Sequence, residues 1–218
     1  MIGIYNIIKR ILDLLFSTIG IIILLPVYLI LAIAIYVDDP GPVFFTQKRV
    51  GKNKNGKITY FNILKFRTMK LSTPKDVPTH LLENPAQYIT RTGRFIRIAS
   101  LDELPQIFNI WCGQMSIIGP RPALYNQDDL ISLREELGAN DVVPGLTGWA
   151  QINGRDELEI DVKAAFDGEY AKILKKGGFA AFAMDARCFF GTFLAVIRAD
   201  GVSKEEKKQN EKDNEVIV

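Results

Sequence analysis

An aspartate and a glutamate stand side by side in the segment "IASLDELPQIF", as Asp102 and Glu103. Two adjacent carboxylates can bind Mg²⁺, and one of them can attack phosphorus, because an aspartate side chain is ionised at neutral pH. Arginines lie nearby in the sequence, among them Arg97 and Arg121 in "GPRP", and guanidinium groups bind phosphate well. A metal ligand, a nucleophile and guanidinium groups are together the ingredients of phosphoryl transfer.

The same segment also fits an ordinary helix start. Ser100 and Glu103 have the S-x-x-E spacing of a capping box, in which each side chain bonds a free backbone N–H of the first turn. Asp102 would then only favour the positive end of the helix. Pro105 lacks an N–H and would distort that turn, which leaves polar groups free at a helix start that suits phosphate. On the residues alone, cap and chemistry both stay open.

Composition excludes several function classes. The one histidine, His80, and the lack of a G-x-S-x-G motif argue against a Ser-His-Asp hydrolase. Cys112 and Cys188 form no C-x-x-C pair, which disfavours a structural zinc site and a disulfide scaffold. A net charge of +2 over 218 residues is too small to indicate a nucleic-acid partner. Catalysis therefore falls to carboxylates, lysines or hydroxyls.

An uncharged apolar segment runs from residue 14 to residue 37. As a helix it would be about 36 Å long, and the hydrocarbon core of a bilayer is about 30 Å thick. Basic residues flank both ends, Lys9 and Arg10 before it and Lys48 and Arg49 after it, so the positive-inside rule places both flanks in the cytoplasm. This pattern favours a re-entrant helix.

Pro26 lies in the middle of that apolar segment and could supply the bend. The alternative is that Pro26 only kinks a helix that spans the membrane. Asp13 precedes the segment, and we expect it to pair with Lys9 or Arg10, because an isolated charge in lipid is costly.

The rest of the chain reads as a compact α/β domain that is mostly helical. Two β-rich runs flank "GKNKNGK", whose Asn-Gly pair predicts a β-hairpin. Apolar residues at helical spacing predict a helix with Gly113 near its end; they are Leu101, Leu104, Ile107, Phe108, Trp111 and Met115. "VPGLTGWAQINGR" reads as an ordered loop, and residues 71–90 as a loop or poorly ordered insertion.

Two further helices are expected near the carboxyl end. Residues 156–176 look helical, and "GGFAAFAMDARCFFGTFLAVI" reads as an amphipathic helix on the membrane surface, with an ordinary core helix as the alternative. The charged residues 204–218 lack aromatics and are expected to be disordered.

In their order along the chain these motifs resemble the small monotopic phosphoglycosyl transferases of the bacterial sugar transferase family. The resemblance covers about residues 5–203 and is carried by "KRILDLLF", "DDPGPVFFTQKRVGKNKNGK", "FNILKFRTM", "TGRFIRIASLDELPQIFNIWCGQMSIIGPRPAL", "VPGLTGWAQINGR" and "DGVSKE". Leu25 departs from the Ser that often precedes the helix-breaking proline in this family, and "YAKILKKGGFAAFAMD" differs from its shorter, aromatic-richer counterpart.

The resemblance implies a ping-pong reaction on a UDP-sugar. Asp102 matches the nucleophile that attacks the β-phosphate, releases UMP and keeps the phosphosugar, and it also matches a Mg²⁺ ligand. Glu103 matches its partner, which orients the site or handles the acceptor's proton. The resemblance also implies a set of phosphate-binding residues. They are Arg97, Arg121, Lys65, Arg67 and Arg155.

The resemblance also implies location and partners. Undecaprenyl phosphate is the acceptor, and the enzyme lies on the cytoplasmic face of the bacterial inner membrane, held by a re-entrant helix broken at Pro26. The expected parts are a membrane helix at 1–37, a catalytic domain at 38–203 and a tail at 204–218. Membrane lipid is an expected partner, nucleic acid is not, and a homodimer stays open.

Two other functions fit the same residues. A membrane-bound, metal-dependent phosphodiesterase would cleave nucleotide-sugars with water as the acceptor. A non-catalytic membrane scaffold would use Asp102 and Glu103 only as a helix cap. No residue indicates which sugar, or which glycan such as an exopolysaccharide, is involved.

Overall fold

The computed structural model describes residues 2–74, 84–154 and 158–197, and in these ranges the chain is mostly helical with little sheet. The helices are α1 (Ile2–Asp38), α2 (Arg91–Ile98), α3 (Gln106–Trp111), α4 (Asp128–Glu136), α5 (Trp149–Ile152), α6 (Ile160–Lys176) and α7 (Gly178–Ile197). The strands are β1 (Phe44–Lys54), β2 (Lys57–Phe66), β3 (Ser116–Ile118) and β4 (Gly145–Thr147). Three 3-10 turns are Pro85–Tyr88, Leu101–Glu103 and Ala139–Asp141.

Strands β1 and β2 form the predicted hairpin. They pair antiparallel, from Phe44 opposite Phe66 to Lys54 opposite Lys57. Asn55 and Gly56 make the connection with φ of 53° and 75°, the positive values that a two-residue type I′ turn requires. The Asn-Gly prediction is therefore confirmed.

A second sheet was not predicted. Strands β3 and β4 pair parallel, with Ser116 opposite Gly145 and Ile118 opposite Thr147. Strand β4 and helix α5 both lie within the segment expected to be a loop, so that expectation was wrong in part. Of the loop expected at 71–90, residues 75–83 lie outside the described ranges and a 3-10 turn follows them.

Helix α1 contains Pro26 and remains helical on both sides of it. Proline removes one backbone hydrogen bond, and here that loss does not end the helix. The backbone stays helical through Pro26, and the bend expected there stays a prediction.

The amino-terminal half of α1 is bonded to the domain that follows it. Lys9 Nζ lies 2.7 Å from Asp185 Oδ2 of α7, and Arg10 donates to the carbonyls of Ile110 and Trp111 at 2.7 and 2.8 Å. Basic groups at the carboxyl end of a helix such as α3 are stabilising. This half of α1 is therefore fixed against α3 and α7.

Among the described residues, Asp13 forms no direct ion pair with Lys9 or Arg10, and these cations act on it only as nearby charges. Asp13 is buried and accepts a 2.9 Å hydrogen bond from the backbone N–H of Ile117. The two cations have other partners, supplied by α7 and by the end of α3. Partners distant in sequence replaced the local ones.

The carboxyl-terminal half of α1 packs on the same domain. Tyr28, Leu31 and Ile35 are buried against Phe66 and Ile96. Asp38 accepts from the backbone N–H of Thr92 at the start of α2, at 2.7 Å. Both ends of α1 therefore contact one and the same globular unit.

Two helices, α1 and α7, are long and apolar enough to cross a membrane by length and composition. Most of the apolar stretch of each helix is exposed on the surface of the protein, so neither is an enclosed core helix. Large apolar side chains cover the outer face of α1, including Ile22, Ile23, Leu29 and Ile30. Helix α7 buries Ala181, Met184 and Cys188 and exposes Phe179, Phe189, Phe190 and Phe193. Its outer face is therefore rich in large apolar side chains, and its place on the membrane surface stays a prediction.

Candidate active site

The acidic pair lies in the 3-10 turn Leu101–Glu103, between α2 and α3. Ser100 reverses the chain with a left-handed backbone, φ 53° and ψ 23°, and its side chain makes no capping bond. An N-cap residue has an extended backbone instead. The capping-box interpretation of Ser100 and Glu103 is therefore wrong, and the side chain of Glu103 points to other partners.

Pro105 separates the turn from α3. It immediately precedes the helix, where no helical hydrogen bond needs the N–H that proline lacks. The helix ends before Gly113, whose φ is +78°, so the predicted stop is confirmed. The predicted continuous helix is instead a 3-10 turn followed by α3, and Met115 lies beyond it.

Asn109 ties α3 to β2. Its side-chain oxygen accepts from the backbone N–H of Leu64 at 2.9 Å, and its amide donates to the carbonyl of Asn62 at 2.9 Å. The side chain thus bonds β2 as a neighbouring strand would. This residue was not singled out in the sequence, although a buried Asn in an apolar helical pattern was a usable signal.

Lys65 reaches the acidic pair from the end of β2. It shares a strand face with Phe61 and Ile63, which pack on Ile110 of α3. Because the inner face of β2 lies against α3, a long side chain near the strand's end meets the turn that precedes α3. Lys65 Nζ lies 2.9 Å from Glu103 Oε1 and 3.3 Å from Asp102 Oδ2.

Arg121 approaches Glu103 from the loop after β3. Its Nη2 lies 2.5 Å from Oε1 and its Nη1 lies 3.2 Å from Oε2. Burial by itself raises the pKa of Glu103, but the Arg121 guanidinium and the Lys65 ammonium together hold that pKa well below its usual value. Glu103 is therefore a fixed anion and a poor proton acceptor.

Asp102 is held more loosely than Glu103. Its Oδ2 accepts from Lys65, and no hydrogen bond reaches its Oδ1 from the residues that the structure describes. Its side chain is 17% exposed, so a ligand can reach it. Of the two carboxylates, Asp102 is the one free to react or to bind a metal ion.

Arg97 lies in the last turn of α2, which contacts the acidic turn. Within residues 2–74, 84–154 and 158–197, no hydrogen bond or ion pair holds its guanidinium. An arginine that is half-buried, uncommitted within the described residues and carried by a helix that contacts the acidic turn suits an anionic ligand.

Arg67 lies apart from this group. It is buried, and its guanidinium binds both the side chain and the backbone carbonyl of Asp39, with Nη1 2.8 Å from Oδ2. This geometry does not favour phosphate binding, and that role stays a prediction. Arg155 lies outside the described residues, so its predicted role is also open.

Magnesium ions are commonly held by one or two carboxylates together with substrate phosphates, and not by a cage of protein ligands. The described residues contain no group of three or more His, Cys, Asp or Glu that could hold a metal ion by itself. Asp102, with one unengaged oxygen, fits the carboxylate role. Glu103 does not, because cations occupy both of its oxygens.

The site is also bonded to α1. Tyr28 donates its hydroxyl to the carbonyl of Leu104 at 2.9 Å, directly after the acidic pair. Gly20 lies so close to Ile107 of α3 that a Cβ at that position would be 2.4 Å from the Ile107 side chain. The apolar helix and the acidic turn are therefore parts of one packed unit.

Comparison with known proteins gives consistent matches. The family model described as bacterial sugar transferase matches residues 4–199. The chain is 37% identical over 177 residues to the UDP-glucose:undecaprenyl-phosphate glucose-1-phosphate transferase of Escherichia coli (strain K12), covering 78% of this chain and 37% of that protein. It is 34% identical over 178 residues to the exopolysaccharide production protein ExoY of Sinorhizobium fredii (strain NBRC 101917 / NGR234), covering 75% and 76%.

A third relative is the undecaprenyl-phosphate glucose phosphotransferase of Komagataeibacter xylinus, 40% identical over 156 residues, with 69% of this chain and 29% of that protein covered. The chain thus spans about a third of the length of the transferases of E. coli and K. xylinus. The family model covers nearly the whole chain, including the acidic turn and helices α2 to α7. The chain belongs to the bacterial sugar transferase family.

Proposed function

We propose that this chain transfers a sugar 1-phosphate from a UDP-sugar to undecaprenyl phosphate and releases UMP. One observation carries the proposal: two cations engage Glu103, while Asp102 beside it keeps an unengaged oxygen. A free carboxylate next to arginines suits attack on an anionic phosphorus. Two relatives are named as undecaprenyl-phosphate glucose transferases, which supports the same reaction.

In the first step, an Asp102 carboxylate oxygen forms a bond to the β-phosphorus of the UDP-sugar. The bond from that phosphorus to the bridging oxygen breaks, and its electron pair leaves with UMP. The phosphosugar stays on Asp102 as an acyl phosphate. A bound Mg²⁺ would neutralise the diphosphate charge, with Asp102 as its protein ligand.

Glu103 acts as a positioning residue in this proposal. Its low pKa, caused by Arg121 and Lys65, argues against a role as the base that takes the acceptor's proton. A phosphate monoester acceptor is largely ionised at neutral pH and needs little help from a base. Lys65 and Arg121 place positive charge where the phosphoryl group gains negative charge, and Arg97 supplies an uncommitted guanidinium.

In the second step, an oxygen of undecaprenyl phosphate bonds to the same phosphorus and the Asp102 carboxylate leaves. The lipid acceptor cannot leave the bilayer cheaply, so the site has to lie near the headgroups. This would be the first membrane step of a bacterial glycan assembly, such as that of an exopolysaccharide.

The contacts of α1 support a one-sided membrane attachment. Lys9 and Arg10 near one end and Asp38 at the other end all bond the same globular unit. A helix that crossed the bilayer would carry these two ends to opposite sides, away from a common partner. We therefore propose a re-entrant, monotopic arrangement on the cytoplasmic face of the inner membrane, with the outer faces of α1 and α7 in lipid.

The test is a UDP-sugar panel that begins with UDP-glucose, in detergent with Mg²⁺, followed by UMP detection. Without the lipid acceptor, we expect a burst of UMP of up to one equivalent per enzyme, and adding undecaprenyl phosphate should restore turnover. Sustained turnover without lipid would instead indicate a nucleotide-sugar phosphodiesterase. Binding of no nucleotide by the folded protein would indicate a scaffold.

A further inference from the structure

Gln106 is the first residue of α3 and is only 1% exposed. Its side-chain nitrogen Nε2 is buried, and no hydrogen-bond acceptor meets it among the described residues. A buried amide without a partner loses its hydrogen bonds to water and gains none in return, so such a group calls for an explanation. A ligand that accepts the hydrogen bond is one.

Helical spacing places Gln106 on a defined face of α3. Residues three and four positions apart share a helix face, which here joins Gln106 to Asn109 and Ile110. Asn109 bonds Asn62 and Leu64 of β2, so this face lies against that strand. Gln106 lies one turn nearer the amino end of α3, about 4.5 Å along the helix axis.

That displacement brings Gln106 toward the acidic turn. Gln106 follows Asp102 by four residues and Glu103 by three. The end of β2 contacts the same turn, where Lys65 meets Asp102 and Glu103. Cations already occupy Glu103, whereas Asp102 Oδ1 and Gln106 Nε2 both lack partners among the described residues. An unengaged acceptor on Asp102 and an unengaged amide on Gln106 therefore lie four residues apart in the sequence, one in the turn and one at the start of the helix that follows it.

We propose that Gln106 is a donor-binding residue whose Nε2–H donates to an oxygen of the phosphoryl group that Asp102 attacks. This inference rests on the proposed function and adds a recognition group to it. The side-chain amide of Gln106 is neutral, so it does not compete with the Lys65 ammonium for Glu103. Its burial on a helix that Asn109 fixes to β2 keeps it oriented before the substrate arrives.

Gln106→Met separates ligand binding from a structural role. Methionine has a similar length and fills apolar space without a buried polar group. We expect the Tm of this variant to equal or exceed that of the wild type, while kcat/KM for UDP-glucose, or the best donor of the panel, falls about 10- to 100-fold. Calorimetric binding of the same donor should weaken as well.

Two further variants are matched to this one. Gln106→Glu keeps the size but replaces the donor with a charged acceptor beside two carboxylates, so its loss should exceed that of Gln106→Met. Ile107→Met changes the next residue of α3, which packs on α1, and should leave the kinetics within about twofold of the wild type.

Wild-type kinetics and donor affinity in a folded Gln106→Met variant would overturn the inference. A drop in Tm that accompanies the loss of activity would also overturn the inference, because the Gln106 amide would then stabilise the fold and not bind the UDP-sugar. The proposed function fails separately, when the wild type releases no UMP from any UDP-sugar. Wild-type activity together with an unaffected Gln106→Met variant removes this inference alone.

Discussion

Arg121 donates two hydrogen bonds to the carboxylate of Glu103, one to each oxygen, at 2.5 and 3.2 Å. A planar guanidinium holds a carboxylate in this way in both position and orientation, which an ammonium group cannot do. Since Lys65 binds the same carboxylate, Glu103 joins the loop after β3 to the end of β2. The acidic turn is thus fixed at the residue next to Asp102.

Arg121→Lys tests the importance of this orientation. The charge is kept, but the paired hydrogen bonds are lost, so we expect UMP formation to slow about 10- to 100-fold. Arg121→Met should be slower still, because it also leaves Glu103 with one cation. Initial rates of UMP release measure both. An Arg121→Lys enzyme with the wild-type rate would show that charge alone suffices.

Asp102→Asn tests the nucleophile. The amide has nearly the shape of the carboxylate and cannot form the acyl phosphate, so the UMP burst should vanish and the intact mass should show no phosphosugar adduct. Wild-type protein incubated with donor alone should show the adduct. We expect Asp102→Asn to fold, because Lys65 keeps Glu103 as a partner in this variant. Circular dichroism checks that it does. Full activity of Asp102→Asn would refute the covalent mechanism.

Acid stability tests the ion pairs of Glu103. Its pKa in the folded protein lies below the unfolded value of about 4.3, so the pairs stabilise the fold above that pH. This contribution is lost as the pH falls toward the folded pKa. We expect the wild type to have a higher Tm than Glu103→Gln at pH 7, with the difference shrinking between about pH 5 and pH 3. A constant difference over that range would contradict the assignment.

Arg67→Met tests whether Arg67 is structural. The variant removes the buried partner of Asp39, so we expect the free energy of unfolding to fall by about 1–3 kcal/mol while KM for the UDP-sugar changes less than twofold. Thermal unfolding and steady-state kinetics in the same detergent measure the two effects. An increase in KM of tenfold or more at unchanged Tm would restore Arg67 to the phosphate site.

Cysteine labelling tests the one-sided attachment. In a background with Cys112→Ser and Cys188→Ala, Gly3→Cys reports the start of α1 and Ser132→Cys reports the exposed face of α4. A Cβ at Gly3 meets no atom within 4 Å, so that substitution fits. Both cysteines should react with an impermeant reagent only after the inner membrane is opened. Reaction of Gly3→Cys from the periplasm, with Ser132→Cys protected, contradicts the re-entrant model.

Local chemistry explains what could be predicted from the sequence. The hairpin follows from Asn55 and Gly56, whose positive φ values need no help from the rest of the protein. The end of α3 near Gly113 and the presence of α7 were predictable for the same reason, since backbone preference and apolar periodicity are local properties. The domain boundaries at 37 and 203 stay predictions, and the tail from 204 lies outside the described residues.

Contacts between distant residues explain what could not be predicted. The spacing of Ser100 and Glu103 fits a capping box, yet Lys65 and Arg121 bind the glutamate instead. Lys65 and Arg67 stand two residues apart and looked equivalent, but Asp39 holds only the second. Strands β3 and β4 have three residues each, too few for a periodic signal.

The hydrogen bond from Tyr28 to the carbonyl of Leu104 joins the apolar helix to the residue after the acidic pair. Asp38 and Thr92 make a second connection at the far end of the same helix. In the proposed arrangement, the depth of α1 in lipid would therefore set the height of the Asp102 carboxylate above the hydrocarbon. The hydrophobic surface of this one helix would then hold the reactive carboxylate at the level of the lipid phosphates.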